Sequence, residues 1–215
     1  MEKQIVKFST EQENFWACEF GDDYINRNKG SKLLASNVHF FSNCLKHCDN
    51  IKSVLEFGSN IGMNLKALQI LFPELNMSAI EINPLAANIL KNEIPKTTIY
   101  NLSILDFKSE EKHDLVLIKG VLIHLNPEIL NKVYKKLTES TSKYLLICEY
   151  YNRTPVTIPY RGHNDRLFKR DFAGEILDAS HDLELIDYGF AYHRDNNFPQ
   201  DDISWFLLKK IIVVR

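Results

Sequence analysis

The stretch Ser53-Val54-Leu55-Glu56-Phe57-Gly58-Ser59-Asn60-Ile61-Gly62 begins as an apolar run of β type and breaks into a small-residue turn. It feeds a helical pattern from Met63 to Phe72 that Pro73 stops. A strand that ends in Gly-x-x-x-Gly ahead of a helix brings backbone N–H groups and a helix N-terminus up to a ligand. The next strand, Met77 to Ile82, carries Glu81, which lies 81 − 62 = 19 residues past the second glycine. An acid about 20 residues on is where nucleotide-binding βαβ units grip a ribose hydroxyl pair. The rest of the chain is read as serving that site.

Working outward, strands alternate with helices. Thr10 and Glu13 form a capping box that predicts a short helix. It leads into the aromatic stretch Phe15 to Tyr24, which either packs on the domain edge or forms a lid that excludes water. Ser31 to Cys48 reads as an amphipathic helix with Leu34, Val38, Phe41, Leu45 and Cys48 on its apolar face. Further strands are predicted at Ile51–Phe57, Thr97–Leu102, Asp114–Lys119 and Lys143–Glu149. Helices are predicted to open at Asn83-Pro84 and Asn126-Pro127, with proline in the first turn. This rhythm means βαβ units and a parallel sheet. After a polar loop, Tyr150 to Arg170, and a helix, Asp171–Ala179, the strands Leu183–Tyr192 and Ile203–Val214 follow with no helix between them. They must therefore pair antiparallel. The expected fold is α/β: a Rossmann-like, doubly wound seven-stranded sheet, mostly parallel, with an antiparallel C-terminal pair and an N-terminal helical extension.

With 215 residues the chain suits one domain, read as a helical cap (1–50), a cofactor-binding half (51–149) and an acceptor side (150–215). The net charge of −2 provides no global attraction to nucleic acid or anionic membrane. Met1-Glu2-Lys3-Gln4 lacks the pattern of a signal peptide and no apolar run reaches membrane-spanning length, so a cytoplasmic location is expected. The four cysteines have no zinc-ligand spacing, and no metal is expected. The sequence does not specify an oligomeric state.

The turn selects among cofactors. A dinucleotide fingerprint from Gly58 would need glycines where Asn60 and Met63 stand, and a P-loop would need Gly-Lys-Ser/Thr. What fits is an acid two residues ahead of the first glycine, Glu56-x-Gly58-x-Asn60-x-Gly62. In this the chain resembles the class I S-adenosylmethionine-dependent methyltransferases, whose motif is E/D-x-G-x-G-x-G. Asn60 replaces the middle glycine, and asparagine tolerates left-handed backbone. The resemblance implies S-adenosyl-L-methionine as cofactor. Glu56 and the loop amides would hold its amino-acid end and Glu81 its ribose. Ile82 would pack on the adenine, and Ser103 or Asp106 would meet the adenine amino group. Lys119 and Gly120 sit at the carboxyl end of the fourth strand, where open α/β sheets hold ligands.

For the acceptor, the position after the fourth strand reads Lys119-Gly120-Val121-Leu122, with no Asn-Pro-Pro-Tyr-like element, which argues against nucleic acid. The segment from Glu149 to Asp171 carries Arg153, Arg161, Arg166, Lys169 and Arg170 among aromatics and amides. Arginine forks in such a setting bind carboxylate or phosphate, and the alternative is an ordinary charged loop with local Asp–Arg pairs. Tyr151, Asn152, Tyr160, Arg161, Asn164, Arg166 and Arg194 are the acceptor-binding candidates. His124, Glu149, His163 and His193 are the candidates for a general base.

A narrower resemblance rests on Phe15-Trp16-x-x-Glu19-Phe20-Gly21-x-x-Tyr24, on Tyr160 to Phe172, and on Tyr192-His193-Arg194-Asp195 with Phe198-Pro199-Gln200-Asp201-Asp202. These stretches are similar to methylases associated with pseudaminic acid biosynthesis. That likeness implies a small anionic acceptor, a nonulosonic sugar acid or its nucleotide conjugate, in surface glycan biosynthesis. A nucleic-acid or protein methyltransferase and an inactive Rossmann-like binding module are the alternative readings.

Overall fold

The computed structural model describes residues 8–25 and 29–211. The expectations for Met1 to Gln4, and for the last strand as far as Val214, lie outside those residues. Two short helices come first, α1 (Glu11–Ala17) and α2 (Glu19–Ile25). The Thr10–Glu13 capping box starts α1 as predicted. Helix α3 (Ser31–Cys44) stops short of Cys48 in a turn, and Asn50, at φ 51°, swings the chain into the sheet. The predicted apolar face packs on the core, with Phe41 and Leu45 buried and Leu34, Val38 and Cys48 packed against it, and the polar Asn37 is buried beside Phe40, Phe41 and Cys44. Asn37 is held there by hydrogen bonds with Asn64 and Gln200.

The strands and helices then alternate: β1 (Ser53–Phe57), α4 (Met63–Leu71), β2 (Asn76–Ile80), α5 (Pro84–Glu93), β3 (Thr98–Tyr100), β4 (His113–Lys119), α6 (Leu130–Ser140) and β5 (Thr141–Glu149). Asn83 caps α5 by accepting the Ala86 N–H, with Pro84 in the first turn. Asn126-Pro127 opens a single 3₁₀ turn before α6 instead of the helix itself. The segment read as loop, Tyr150 to Arg170, folds into a small antiparallel hairpin of β6 (Val156–Thr157) and β7 (Phe168–Lys169). Helix α7 (Phe172–Ala179), β8 (Leu183–Ala191) and β9 (Ile203–Lys210) complete the chain.

The main sheet has seven strands in the order β3-β2-β1-β4-β5-β9-β8, the first five parallel and β9 antiparallel to both its neighbours. Successive residues of the central strands enter opposite cores. Val54, Leu115, Leu117, Leu146 and Cys148 pack with α3, α4 and α5, while Leu55, Phe57, Val116, Ile118 and Ile147 pack with α6 and α7. A side chain as deeply buried as Leu65, Leu117 or Phe57 contributes about 1.5–3 kcal/mol. The chain order reverses direction between β1 and β4, and open α/β sheets form their ligand crevice at the carboxyl end of such a switch point.

Glu149, at the end of β5, shapes the rim of that crevice. One carboxylate oxygen accepts the Val121 and Leu122 N–H groups, both at 2.9 Å, and the other accepts from Ile123 at 3.4 Å. The carboxylate thus caps the 3₁₀ turn Leu122–His124 that follows β4. The candidate base Glu149 is thus used by the fold as a cap for backbone amides. Burial pushes its pKa up to about 7, against the pull of the three amides and Lys119. The folded chain therefore takes up a proton here between the ordinary 4.5 and about 7. The contribution of Glu149 is most favourable below that window and declines as pH rises through it. In urea titrations, the stability of the wild type relative to Glu149→Gln should fall steadily between pH 4.5 and pH 7. A difference that does not change with pH would contradict the buried-carboxylate account.

Candidate active site

The turn after β1 is built on left-handed backbone at Gly58 (φ 74°), Asn60 (φ 48°) and Gly62 (φ 78°). A Cβ on Gly58 would lie 2.5 Å from Val121 Cγ2, and one on Gly62 would lie 2.2 Å from Leu90 Cδ1. Both glycines are thus needed for close approach as well as for φ. The Gly58 and Ser59 N–H groups donate to the Ile80 carbonyl, tying the turn to the end of β2. Glu81 then clamps it: one carboxylate oxygen accepts the Asn60 N–H at 2.6 Å and the other the Asn83 N–H at 2.7 Å. Burial raises the Glu81 pKa, and those amide bonds hold it back. Ser59 Oγ and Asn60 Oδ1 are buried without a hydrogen-bond partner among the described residues. Such orphaned polar atoms beside a cavity are what a hydrogen-bonding ligand would satisfy.

That cavity, about 260 Å³, opens at the carboxyl ends of β1, β2 and β4. Of the predicted cofactor residues, Gly58, Asn60, Glu81, Ile82, Ser103, Lys119 and Gly120 line it. Gly62 is the N-cap of α4, next to lining residues on both sides. Asp106 is exposed and outside the lining, so of the two candidates beyond β3 only Ser103 reaches the cavity. Glu56 is fully buried and also outside the lining.

A polar chain links Glu56 to the cavity. Gln200 donates to Asn37 Oδ1 (3.0 Å), Asn37 donates to Asn64 Oδ1 (3.1 Å), and Asn64 donates to one Glu56 oxygen (2.6 Å). All three amide residues line the cavity. They come from α3, α4 and the loop before β9, and their spacing in sequence carries no signal. The other Glu56 oxygen is buried without a partner among the described residues. Burial raises the Glu56 pKa to about 8, with the Asn64 bond and the Lys119 charge opposing. Lys119 lies over the Phe40 ring, 5.7 Å from its centre.

The roof comes from the N-terminal helices, where Gln12, Glu13, Trp16, Gly21 and Tyr24 line the cavity. Packing on an edge and covering the site, the two readings of the aromatic stretch, are thus the same contact. Asn83 Nδ2 holds this roof through the Trp16 carbonyl (3.4 Å) and Asp22 Oδ1 (2.8 Å).

His124 is the candidate base that the structure brings to the cavity. Its Nδ1 lies 2.6 Å from the Arg166 carbonyl. A carbonyl only accepts, so Nδ1 carries the proton and Nε2 keeps its lone pair. Burial lowers the His124 pKa to about 4. The ring packs against Trp16 (4.7 Å between centres) and Tyr160 (5.1 Å). His163 is exposed against Phe15, and His193 is tied to Asp202 at 2.8 Å; neither lines the cavity.

The acceptor-binding candidates are mostly placed elsewhere. Tyr160 lines the cavity. Tyr151 leans on Phe206, Asn152 bonds the Thr154 carbonyl, Arg161 lies over Tyr160, and Asn164 and Arg194 are exposed, all outside the lining. Arg166 is buried, but it pairs with Glu11 (3.3 Å) and Asp165 and covers Phe15. The arginine-rich segment therefore fastens α1 to the hairpin and does not point a fork inward. Tyr150, Pro199, Gln200 and Asp201 line the cavity instead.

Among the described residues, no cluster of His, Cys, Asp and Glu could hold a metal ion, and no helix is long and apolar enough to cross a membrane. Cys44 and Cys148 are buried, Cys48 is partly buried and Cys18 is exposed, all as free thiols.

No family model matches this sequence. It is similar to an isoflavone 4'-O-methyltransferase of Glycyrrhiza echinata, with 26% identity over 153 residues covering 66% of this chain and 39% of that protein. The chain thus spans about two fifths of the length of that relative. Solved structures resemble it more fully. Magnesium protoporphyrin IX methyltransferase (ChlM) from Synechocystis PCC 6803, with bound S-adenosylhomocysteine, superimposes with a TM-score of 0.68 at 13% identity, covering 93% of this chain and 98% of that one. The N-methyltransferase NodS from Bradyrhizobium japonicum WM9, in complex with S-adenosylhomocysteine, gives 0.65 at 13% identity, covering 87% and 97%. The seven-stranded Rossmann-like sheet with its antiparallel tail is the fold of these S-adenosylhomocysteine-bound methyltransferases.

Proposed function

We propose that this protein transfers a methyl group from S-adenosyl-L-methionine to a small-molecule acceptor. The observation that carries the reading is the Glu81 clamp. A buried carboxylate holds the glycine turn by one amide on each oxygen, and each oxygen keeps lone-pair capacity for a ribose hydroxyl. The orphaned Ser59 and Asn60 oxygens, and the cavity beside them, fit a polar cofactor at the same place. Bound there, the cofactor supplies an electrophilic sulfonium methyl group. The protein's part is to align an acceptor, exclude water and take up a proton.

The roof of Trp16 and Tyr24 serves water exclusion. His124 serves proton removal: the Arg166 carbonyl fixes its tautomer, and its depressed pKa keeps the ring neutral at physiological pH. An acceptor that loses a proton, a hydroxyl or an amine, is what such a base suits. The wall of Gln12, Asn37, Tyr24, Tyr150, Tyr160 and Gln200 favours a compact molecule rich in hydroxyls. The sequence resemblance supports a nonulosonic sugar acid or its conjugate. Lys119 is the cationic side chain in the lining that could meet a carboxylate, the cofactor's own or the acceptor's.

Two results are expected. Calorimetry should show S-adenosylmethionine and S-adenosylhomocysteine binding to the wild type, and Glu81→Ala should weaken both by about a hundredfold, the scale of removing hydrogen bonds to a buried charge. Failure of both compounds to bind folded wild-type protein would overturn the reading. With labelled cofactor and a metabolite extract, His124→Asn should lower methyl incorporation by about a hundredfold or more while S-adenosylhomocysteine still binds. Undiminished incorporation would remove His124 as the base.

A further inference from the structure

Glu13 is in an unusual place for a capping-box acid. Such residues commonly sit at the water-facing start of a helix, but Glu13 is only 6% exposed and lines the cavity. Its two oxygens have separate duties. One accepts the Thr10 N–H (2.9 Å) and hydroxyl (3.2 Å), which completes the cap. The other accepts the hydroxyl of Ser103, 90 residues away on the loop beyond β3. Capping needs only the first of these. Burying the second toward a cavity costs desolvation that one serine hydroxyl only partly offsets, and a carboxylate oxygen accepts more than one hydrogen bond.

The surroundings give that oxygen a direction. The proposed ribose clamp, Glu81, directly follows β2, and Ser103 lies just beyond the adjacent strand β3. The apolar residues Ile82, next to Glu81, and Ile104 and Leu105, next to Ser103, also line the cavity, which suits the faces of a flat base. Ser103 Oγ also accepts the Leu105 N–H (3.0 Å), so the hydroxyl is oriented to donate to Glu13.

We infer that Glu13, carried on the N-terminal helix, is the acceptor for the 6-amino group of the cofactor's adenine. The inference rests on the cofactor reading above. It makes α1 part of the cofactor site: the helix that roofs the cavity also reads the base, and Ser103 positions the reading carboxylate.

The test compares S-adenosylhomocysteine with S-inosylhomocysteine, which has a 6-oxo acceptor in place of the 6-amino donor, by calorimetry. The proteins are the wild type, Glu13→Gln and Asp106→Asn. Glutamine serves a capping box as well as glutamate does, so the first variant should keep its helix start. The wild type should prefer the amino compound by about tenfold or more, the scale of a hydrogen bond to a charged group. Glu13→Gln should lose most of that preference, since its amide can donate to the 6-oxo group, and Asp106→Asn should keep it. Equal binding of both compounds to the wild type would overturn the inference without any variant. A preference that survives Glu13→Gln, or disappears in Asp106→Asn, would also overturn it. Failure of S-adenosylhomocysteine to bind the wild type would instead remove the cofactor reading beneath it.

Discussion

The Glu81 carboxylate, held between the amides of Asn60 and Asn83, is the contact on which the site depends. One oxygen fixes the glycine turn after β1 and the other fixes the residue that caps α5. Asn83 then uses its side-chain oxygen on Ala86 and its amide nitrogen on Trp16 and Asp22. Turn, helix and roof therefore meet at two neighbouring polar side chains, both more than nine-tenths buried. Loss of either would leave a buried amide N–H without its acceptor, and an unsatisfied buried donor costs about 1–3 kcal/mol.

Two further glutamates, toward the carboxyl ends of β1 and β5, are used in different ways. Glu56 on β1 and Glu149 on β5 are buried on adjoining parts of the sheet with Lys119 on the strand between them, and burial raises the pKa of both. Glu149 spends its acceptors on a backbone turn. Glu56 keeps one oxygen unpartnered among the described residues and connects through amides to the cavity. The same residue type at the same kind of position thus has its acceptors filled by a backbone turn in one case and keeps one buried oxygen unpartnered among the described residues in the other. Hydrogen-bond partners make the difference, not burial.

Much of the fold could be read from local pattern, since alternation of apolar residues, Pro at helix starts and the glycine turn are all short-range signals. Glu81, Ser103, Lys119 and Gly120 could be placed because strand ends have a defined geometry. The arginine segment was harder. Its position on the ligand edge follows from topology, but the direction of Arg166 depends on Glu11, 155 residues away, and on the ring of Phe15. The Gln200–Asn37–Asn64 chain was invisible for the same reason, as was Glu13, whose capping box explained it fully without the Ser103 contact. Glu149 was ambiguous because a strand-end acid suits a base and a cap equally well, and its use as a cap depends on the backbone turn after β4.

The most direct test is a crystal structure of the protein with S-adenosylhomocysteine. The account predicts the ribose hydroxyls on Glu81 in the cavity beneath Trp16 and Tyr24. The ligand bound at any other place on the molecule, or bound in that cavity with Glu81 making no contact to the ribose, would contradict it.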